Sequence, residues 1–185
     1  MDNMSSLWDE PLIESQSPPI EEVKWKADKR WSDRFLPEIK QIIGEHLITE
    51  PPQEEDSLHN TDLIVLGFDS IRVGCRIRKY EYFSKYPNDF TIRSERPKNG
   101  TRTELSKIIE GWGDYFFYGF SDQTETSLIY WRIISLNKFR LWFNRRLAID
   151  KETPGNYKKN GDSSSNFIAF DISKMSEVLF KEKQL

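Results

Sequence analysis

The chain has 185 residues, a formal net charge of −3 and a hydrophobic content of 37%, which fits one domain of ordinary size with tails. It has no apolar run near the ~20 residues that a membrane helix needs and no basic-then-apolar leader, so we expect a soluble, cytoplasmic protein without membrane contact. The single cysteine, Cys75, excludes an internal disulfide bond and a cysteine-based zinc cluster. We expect its side chain to be a small buried hydrophobe, because it lies on the apolar side of a predicted strand.

The acidic residues are concentrated in the first third of the chain. Residues 1–60 contain fourteen acidic and six basic residues, whereas residues 61–185 contain sixteen acidic and twenty-one basic residues. Residues 1–22 combine six acidic residues with no basic residue and three of the nine prolines, which predicts a flexible acidic tail. The isolated Trp8 makes this tail a candidate docking element for a protein partner.

Helical and strand-like patterns begin after the tail. Apolar residues recur at helical spacing over residues 34–47, where Pro37 is tolerated in the first turn of the helix. The continuous apolar run at 63–68 predicts a strand that is buried on both faces. A short turn joins this run to the alternating segment 71–78, so we expect the two strands to form a hairpin.

The remaining segments predict further elements of both types. In chain order they are a tyrosine-rich loop at 80–86, a strand at 89–93, a helix capped by Thr101 or Thr103 and ended by Gly113, strands at 114–120 and 128–135, a basic amphipathic helix at 138–147, and a strand at 167–172 followed by a short helix. We therefore expect an α/β (α+β) domain over residues 23–150, with a central mixed sheet of about five strands flanked by helices. Residues 151–166 are expected to be a mobile loop, and residues 167–185 to pack on the domain.

The alternating segment carries a row of arginines on one face. Arg72, Arg76 and Arg78 point to the same side of the predicted strand, and Thr91 and Arg93 share a face of the next strand. Guanidinium groups keep their charge and offer a fixed fork of donors, so the row suits phosphate or carboxylate recognition. The alternative is a solvent-facing polar surface whose arginines pair with acidic residues across strands.

The predicted order helix, strand, strand, strand, helix, strand over residues 34–120 resembles the core of the PD-(D/E)XK, or restriction-endonuclease-like, nuclease superfamily. This resemblance assigns Glu45 to the helix glutamate and Asp62 to the strand aspartate, which together would hold Mg²⁺. The acid-x-Lys pair of that family falls on Arg76 and Arg78, of which Arg78 would stand in for the lysine. Arg76 departs from the family, because a cation replaces a carboxylate and cannot bind Mg²⁺.

A carboxylate on the following predicted helix could complete such a site. Glu104 lies about one turn from Lys107, and the two would add an acid and a phosphate-binding cation. The alternative is an acidic residue at a helix N-terminus beside a solvated ion pair. The candidate catalytic residues are thus Asp62, Glu45, Glu104 and Arg78, with Asp62 and Glu45 as Mg²⁺ ligands, and the candidate phosphate-binding residues are Arg72, Arg76, Arg78, Arg93, Thr91 and Lys107.

The leading functional expectation is a nucleic-acid or nucleotide-phosphate binding protein with a nuclease-like fold, and its enzymatic version is Mg²⁺-dependent phosphodiester hydrolysis. A second expectation is a non-catalytic binding module that has kept the fold and converted the metal site into a phosphate cradle. A third is a protein-binding or structural module that docks through residues 1–22. The overall pattern also resembles small uncharacterised proteins of phage and prophage origin.

Overall fold

The computed structural model describes residues 20–49, 64–65, 71–95, 103–161 and 165–183. Within these residues the helices are α1 (Ile20–Asp33), α2 (Leu36–Leu47), α3 (Tyr80–Lys85), α4 (Glu104–Ile109) and α5 (Leu136–Asp150). The strands are β1 (Ile48–Thr49), β2 (Ile64–Val65), β3 (Val73–Arg78), β4 (Asp89–Glu95), β5 (Tyr115–Ser121), β6 (Leu128–Ser135), β7 (Asn156–Lys159), β8 (Asn166–Asp171) and β9 (Leu179–Glu182). Two 3-10 turns, Ile172–Lys174 and Ser176–Val178, lie between β8 and β9.

The chain divides into two compact units, the first ending at Arg34 and the second beginning at Phe35. In the first unit, α1 includes residues 20–22 of the predicted tail, while the rest of that tail, with Trp8, lies outside the described residues. The second unit contains all the other described elements. Every candidate site residue that the structure describes belongs to this second unit.

The described strands of the second unit form two larger sheets and one short ladder. The first sheet has the order β3-β5-β6-β9, in which β3 and β5 are parallel and the other neighbours antiparallel. The second sheet has the order β4-β8-β7 and is antiparallel throughout. The predicted α+β class with a mixed sheet flanked by helices is confirmed, but the strands are divided between two sheets where the sequence pattern predicts a single one of about five strands.

The described residues do not form the predicted hairpin between segments 63–68 and 71–78, and of the first segment the structure describes Ile64 and Val65. Strand β3 pairs in parallel with β5, from Val73 opposite Tyr115 to Arg78 opposite Phe120, and β2 pairs with β1. The alternation of side chains identifies a strand and its two faces but not the strand beside it. A parallel neighbour requires a long crossover, and here α3, β4 and α4 supply it.

A core rich in aromatic residues fills the space between the two sheets and α5. Phe90 of β4 lies at the centre, with its ring centroid 5.5 Å from that of Phe116 on β5 and 5.8 Å from that of Phe139 on α5. The fully buried large side chains include Tyr118, Phe90, Phe120, Phe139, Phe170, Ile92 and Ile134. Edge-to-face and tilted contacts of this kind stabilise a core beyond the burial of apolar area alone.

Three local features differ from the sequence predictions. The tyrosine-rich segment forms helix α3, anchored by Phe83, whose ring centroid lies 5.3 Å from those of Phe120 and Tyr130. Strand β7 forms within the predicted loop 151–166 because its exposed residues pair with β8. Cys75 is exposed rather than buried.

Helix α4 is capped by Thr103, one of the two predicted caps, but it ends at Ile109 and not at the predicted Gly113. The hydroxyl of Thr103 accepts a hydrogen bond from the backbone N–H of Ser106 at 3.3 Å, and the Ser106 hydroxyl accepts one from the N–H of Thr103 at 2.9 Å. Such reciprocal capping satisfies two backbone donors at the start of a helix. It fixes Glu104 as the first helical residue and so directs its carboxylate toward the neighbouring strands.

Candidate anion-binding site

Arg76 and Glu104 bind each other. The Nη2 atom of Arg76 lies 2.6 Å from Oε2 of Glu104, and its Nη1 donates to the backbone carbonyl of Thr91 at 2.6 Å. The same Glu104 oxygen accepts the backbone N–H of Arg93 at 3.0 Å. The two side chains are only 20% and 26% exposed, so the pair joins β3, β4 and α4 in a setting that excludes most water. The acidic residue that pairs with Arg76 therefore lies on helix α4 and not on a neighbouring strand, where the solvent-facing alternative placed it.

The other members of the arginine row do not converge on one point. Arg72 is exposed, and its backbone N–H donates to Oδ2 of Asp114 at 2.8 Å. Arg93 is half-buried on β4, where its own N–H is held by Glu104. Lys107 is exposed on α4. The predicted phosphate-binding residues that the structure describes therefore do not form one continuous binding surface.

Of the two proposed Mg²⁺ ligands, the structure describes only Glu45. Glu45 is exposed near the end of α2, where its Oε1 accepts a hydrogen bond from Nε2 of Gln41 at 3.0 Å. Asp62 lies outside the described residues. Among the residues that the structure does describe, no group of three or more His, Cys, Asp or Glu could hold a metal ion. Magnesium binding and nuclease activity therefore stay predictions.

Arg78 leads instead to a cavity of about 270 Å³ between the two sheets. We call this cavity the inter-sheet pocket, and it is lined by Arg78, Tyr82, Tyr86, Asp89, Thr91, Tyr118, Phe120, Lys158 and Phe167. These residues come from β3, α3, β4, β5, β7 and β8 and from the turn after α3. The parallel pairing of β3 with β5 and the antiparallel pairing of β7 with β8 are what assemble them.

Arg78 is held at the pocket wall by weak neutral contacts. Its Nη1 donates to Oγ1 of Thr91 at 3.3 Å, and its guanidinium carbon lies 3.9 Å from the centroid of the Tyr82 ring. The hydroxyls of Thr91 and Tyr118 share a hydrogen bond of 2.9 Å. Arg78 and Lys158 form no ion pair with any carboxylate of the described residues. Both cations therefore have N–H groups that can donate hydrogen bonds to an anion in the pocket.

Asp89 is the acidic residue of the pocket. Burial and the neighbouring carboxylate of Asp171 raise the pKa of Asp89, and the nearby charges of Lys158 and Arg78 oppose this effect. The pKa of Asp171 is lowered, first by a hydrogen bond from the Ser173 hydroxyl at 2.6 Å. Two aspartates that face each other across β4 and β8 therefore have different environments.

A second polar cluster supports the pocket from beside it. Arg132 on β6 is only 4% exposed, and its Nη1 donates to the carbonyl of Pro87 at 2.7 Å. Its Nε lies 3.1 Å from Oε2 of Glu182, which also accepts a hydrogen bond from the hydroxyl of Tyr130. These contacts fix the turn that leads into β4, and hence the position of Asp89, while using the hydrogen-bonding capacity of Arg132 internally.

Most of the pocket was not identified from the sequence. Of the predicted site residues only Arg78 and Thr91 line it, and the residues missed are Tyr82, Tyr86, Asp89, Tyr118, Phe120, Lys158 and Phe167. One signal was visible, since three tyrosines follow the arginine strand within residues 80–86. Lys158 carried no signal of its own, because the segment around it lacks a hydrophobic pattern.

Comparison of this chain with protein-family models, with curated proteins and with solved structures finds no match. The resemblance to the PD-(D/E)XK nucleases therefore stays a prediction. None of the described helices has the length and apolar character required to cross a membrane.

Proposed function

We propose that this protein binds a nucleotide phosphate in the inter-sheet pocket, with Arg78 and Lys158 as the residues that contact the phosphate. The observation that carries the proposal is a difference between the cations of the described residues. Arg76 forms an ion pair with Glu104, whereas Arg78 and Lys158 line a cavity without a direct ion pair, although the charges of both act on the nearby Asp89. A guanidinium held on a strand recognises phosphate through two parallel hydrogen bonds.

The character of the pocket walls supports a ligand that combines a ring with an anion. Tyr82 and Tyr86 are 43% and 53% exposed, so their rings remain accessible, and Phe120 and Phe167 add apolar surface. Aromatic side chains that stack on a base contribute about 1–3 kcal/mol per base. The volume of about 270 Å³ is slightly below the ~300–1,000 Å³ of typical ligand clefts, which favours one nucleotide over a longer ligand.

The binding version is favoured over the nuclease version by the state of Glu104. Its carboxylate oxygen is occupied by Arg76 and by a backbone N–H of β4, so it has reduced capacity to coordinate Mg²⁺. No described contact brings Glu45 to the inter-sheet pocket. Mg²⁺-dependent hydrolysis is accordingly the second candidate, and loss of cleavage in Asp62→Ala would be its signature.

Isothermal titration calorimetry with AMP, GMP and inorganic phosphate tests the proposal. We expect Arg78→Ala to weaken binding of both nucleotides by about tenfold or more, because a charge-assisted hydrogen bond contributes about 1.5–3 kcal/mol. Lys158→Ala should weaken it less, since its ammonium is exposed. Binding should also decrease as the salt concentration rises.

Arg72→Ala is the matched control, because it removes the same charge from the same segment at an exposed position outside the pocket. Its affinities should equal those of the unmodified protein. Equal losses in Arg72→Ala and Arg78→Ala would show that binding follows overall charge rather than the pocket. Absence of binding to every probe at low salt would refute the proposal.

A further inference from the structure

Asp89 is the acidic residue that lines the inter-sheet pocket, and the phosphate contact does not explain its role. It is half-buried at the first position of β4, and its carboxylate accepts no hydrogen bond from the described residues. Asp171, its partner across the ladder, accepts hydrogen bonds from both the N–H and the hydroxyl of Ser173. Because Asp89 is only half-buried, water can supply these hydrogen bonds, and a ligand in the cavity that offers N–H donors can take the place of that water.

We infer that Asp89 binds the edge of a planar ring that presents two adjacent N–H donors, which among the nucleobases is the guanine edge. The inference rests on the proposed function and deepens it, because it specifies which nucleotide the pocket prefers. The ligand is then a guanine nucleotide, either free or at the end of a nucleic-acid strand.

The hydrogen-bonding chemistry of a carboxylate explains why guanine should be preferred over adenine and cytosine. An ionised carboxylate only accepts hydrogen bonds, and its two oxygens can accept from two parallel donors. Guanine offers N1–H and the N2 amino group side by side, whereas adenine and cytosine place a ring acceptor beside their amino group. That acceptor would face a carboxylate oxygen, so each of these bases leaves one polar contact unmade.

The charges around Asp89 argue against a cation as the alternative occupant. Arg78 and Lys158 both act on the Asp89 carboxylate, and both line the same cavity. A metal ion or an ammonium group bound at Asp89 would be repelled by these two cations. A neutral ring with N–H donors meets no such penalty, and the negative phosphate of the same ligand is attracted to them.

The strand register supplies room for both ends of a nucleotide. Lys158 lies opposite Phe167, which lies opposite Arg93, four residues along β4 from Asp89. Four residues of a strand span about 13 Å, which separates the backbone positions of the acid and the lysine. Thr91 lies midway on the same face of β4, and Arg78 contacts its hydroxyl. The backbone positions of Asp89 and Lys158 are thus far enough apart for the base edge and the phosphate of one nucleotide to contact different parts of the pocket.

The test compares GMP, IMP and AMP by calorimetry with the full chain and with Asp89→Asn. We expect GMP to bind about tenfold or more tightly than AMP, with IMP between them, because IMP keeps N1–H and lacks the N2 amino group. Asp89→Asn should reduce the ratio of GMP to AMP affinity to near one, since an amide offers one acceptor only. A 5′-phosphorylated oligonucleotide that begins with guanosine, compared with GMP itself, distinguishes a strand end from a free nucleotide as the source.

Glu81→Gln serves as the control, because it neutralises an exposed acid on α3 that does not line the pocket, and it should leave the preference for GMP unchanged. Equal binding of all three nucleotides, with Arg78→Ala still weakening each of them, would overturn this inference and leave the proposed function intact. A preference for GMP that survives in Asp89→Asn would also overturn it. Failure of all three nucleotides to bind would overturn both proposals together.

Discussion

Removal of the Glu104 carboxylate tests whether this residue supports the scaffold or binds a metal. In Glu104→Ala, the guanidinium of Arg76 loses a partner at 2.6 Å and the backbone N–H of Arg93 loses an acceptor at 3.0 Å. The Arg76 side chain is only 20% exposed, so solvent can replace the lost contacts only in part. We therefore expect a large loss of stability and no specific effect on metal binding.

The expected magnitude follows from the partial burial of the ion pair. Breaking a fully buried pair costs about 3–5 kcal/mol, whereas exposed pairs contribute about 0–1 kcal/mol. The Arg76–Glu104 pair lies nearer to the buried limit, so we expect a loss of about 2–3 kcal/mol in the free energy of unfolding. For a chain of this size, that loss lowers the melting temperature by about 4–12 °C.

Urea unfolding followed by circular dichroism measures this loss as a shift of the midpoint. Asp150→Ala is the control, because it removes the acid of an exposed pair with Arg146 at 3.7 Å, and it should stay within about 0.5 kcal/mol of the unmodified protein. The double variant Arg76→Met, Glu104→Leu should be more stable than Glu104→Ala, because it leaves no unpaired charge. If Glu104→Ala kept full stability but abolished Mg²⁺-dependent cleavage of DNA or RNA, the scaffold role would be refuted.

Two further predictions concern the second sheet. Gly155→Ala should destabilise the protein by about 1–3 kcal/mol, because this glycine has a φ of +96° and an added Cβ would lie 2.5 Å from Cγ2 of Ile168. The clash would disturb the start of β7, which carries Lys158, so nucleotide binding should also weaken. Thermal unfolding and calorimetry measure the two effects, and unchanged values would contradict the prediction. The raised pKa of Asp89 means that the folded state holds this proton more tightly than the unfolded state, so its contribution to stability is full below the ordinary pKa of 3.8 and is lost as the pH rises through the raised value. Asp89→Asn should therefore raise the stability to urea at neutral pH but not near pH 3.8, the ordinary pKa of the group. The opposite pattern would contradict the environment described for Asp89, which is formed by Asp171, Lys158 and Arg78.

The sequence was sufficient where the deciding interactions are local. Alternation over residues 71–78 predicted strand β3 and placed Arg76 and Arg78 on the same face. The start of α4 was predicted at Thr101 or Thr103, and Thr103 is the cap in the structure. Both features depend on neighbours within a few positions of the chain. Contacts from both arginines to the same threonine hydroxyl follow from that shared face.

The partners of these residues could not be predicted, because pairing between strands is set by packing across the whole domain. Asp89 and Lys158 line one cavity although they are far apart in sequence, and only the β4-β8-β7 order brings them together. Cys75 shows the same limit, since its side of β3 is apolar in pattern but its side chain is exposed. A pattern with period two indicates which residues share a face and leaves open what covers that face.

Arg76 and Arg78 have different partners because they lie at different positions along one strand. Both guanidinium groups point to β4, but Arg76 lies beside the first turn of α4, where the capping of Thr103 directs Glu104 toward it. Arg78 lies two residues further along β3, where it lines the inter-sheet pocket. One arginine is therefore paired with a carboxylate that joins β3, β4 and α4, and the next is the one that we propose contacts the phosphate. Because the hydroxyl of Thr91 contacts both, the ion pair that stabilises the fold also positions the residue on which Arg78 rests.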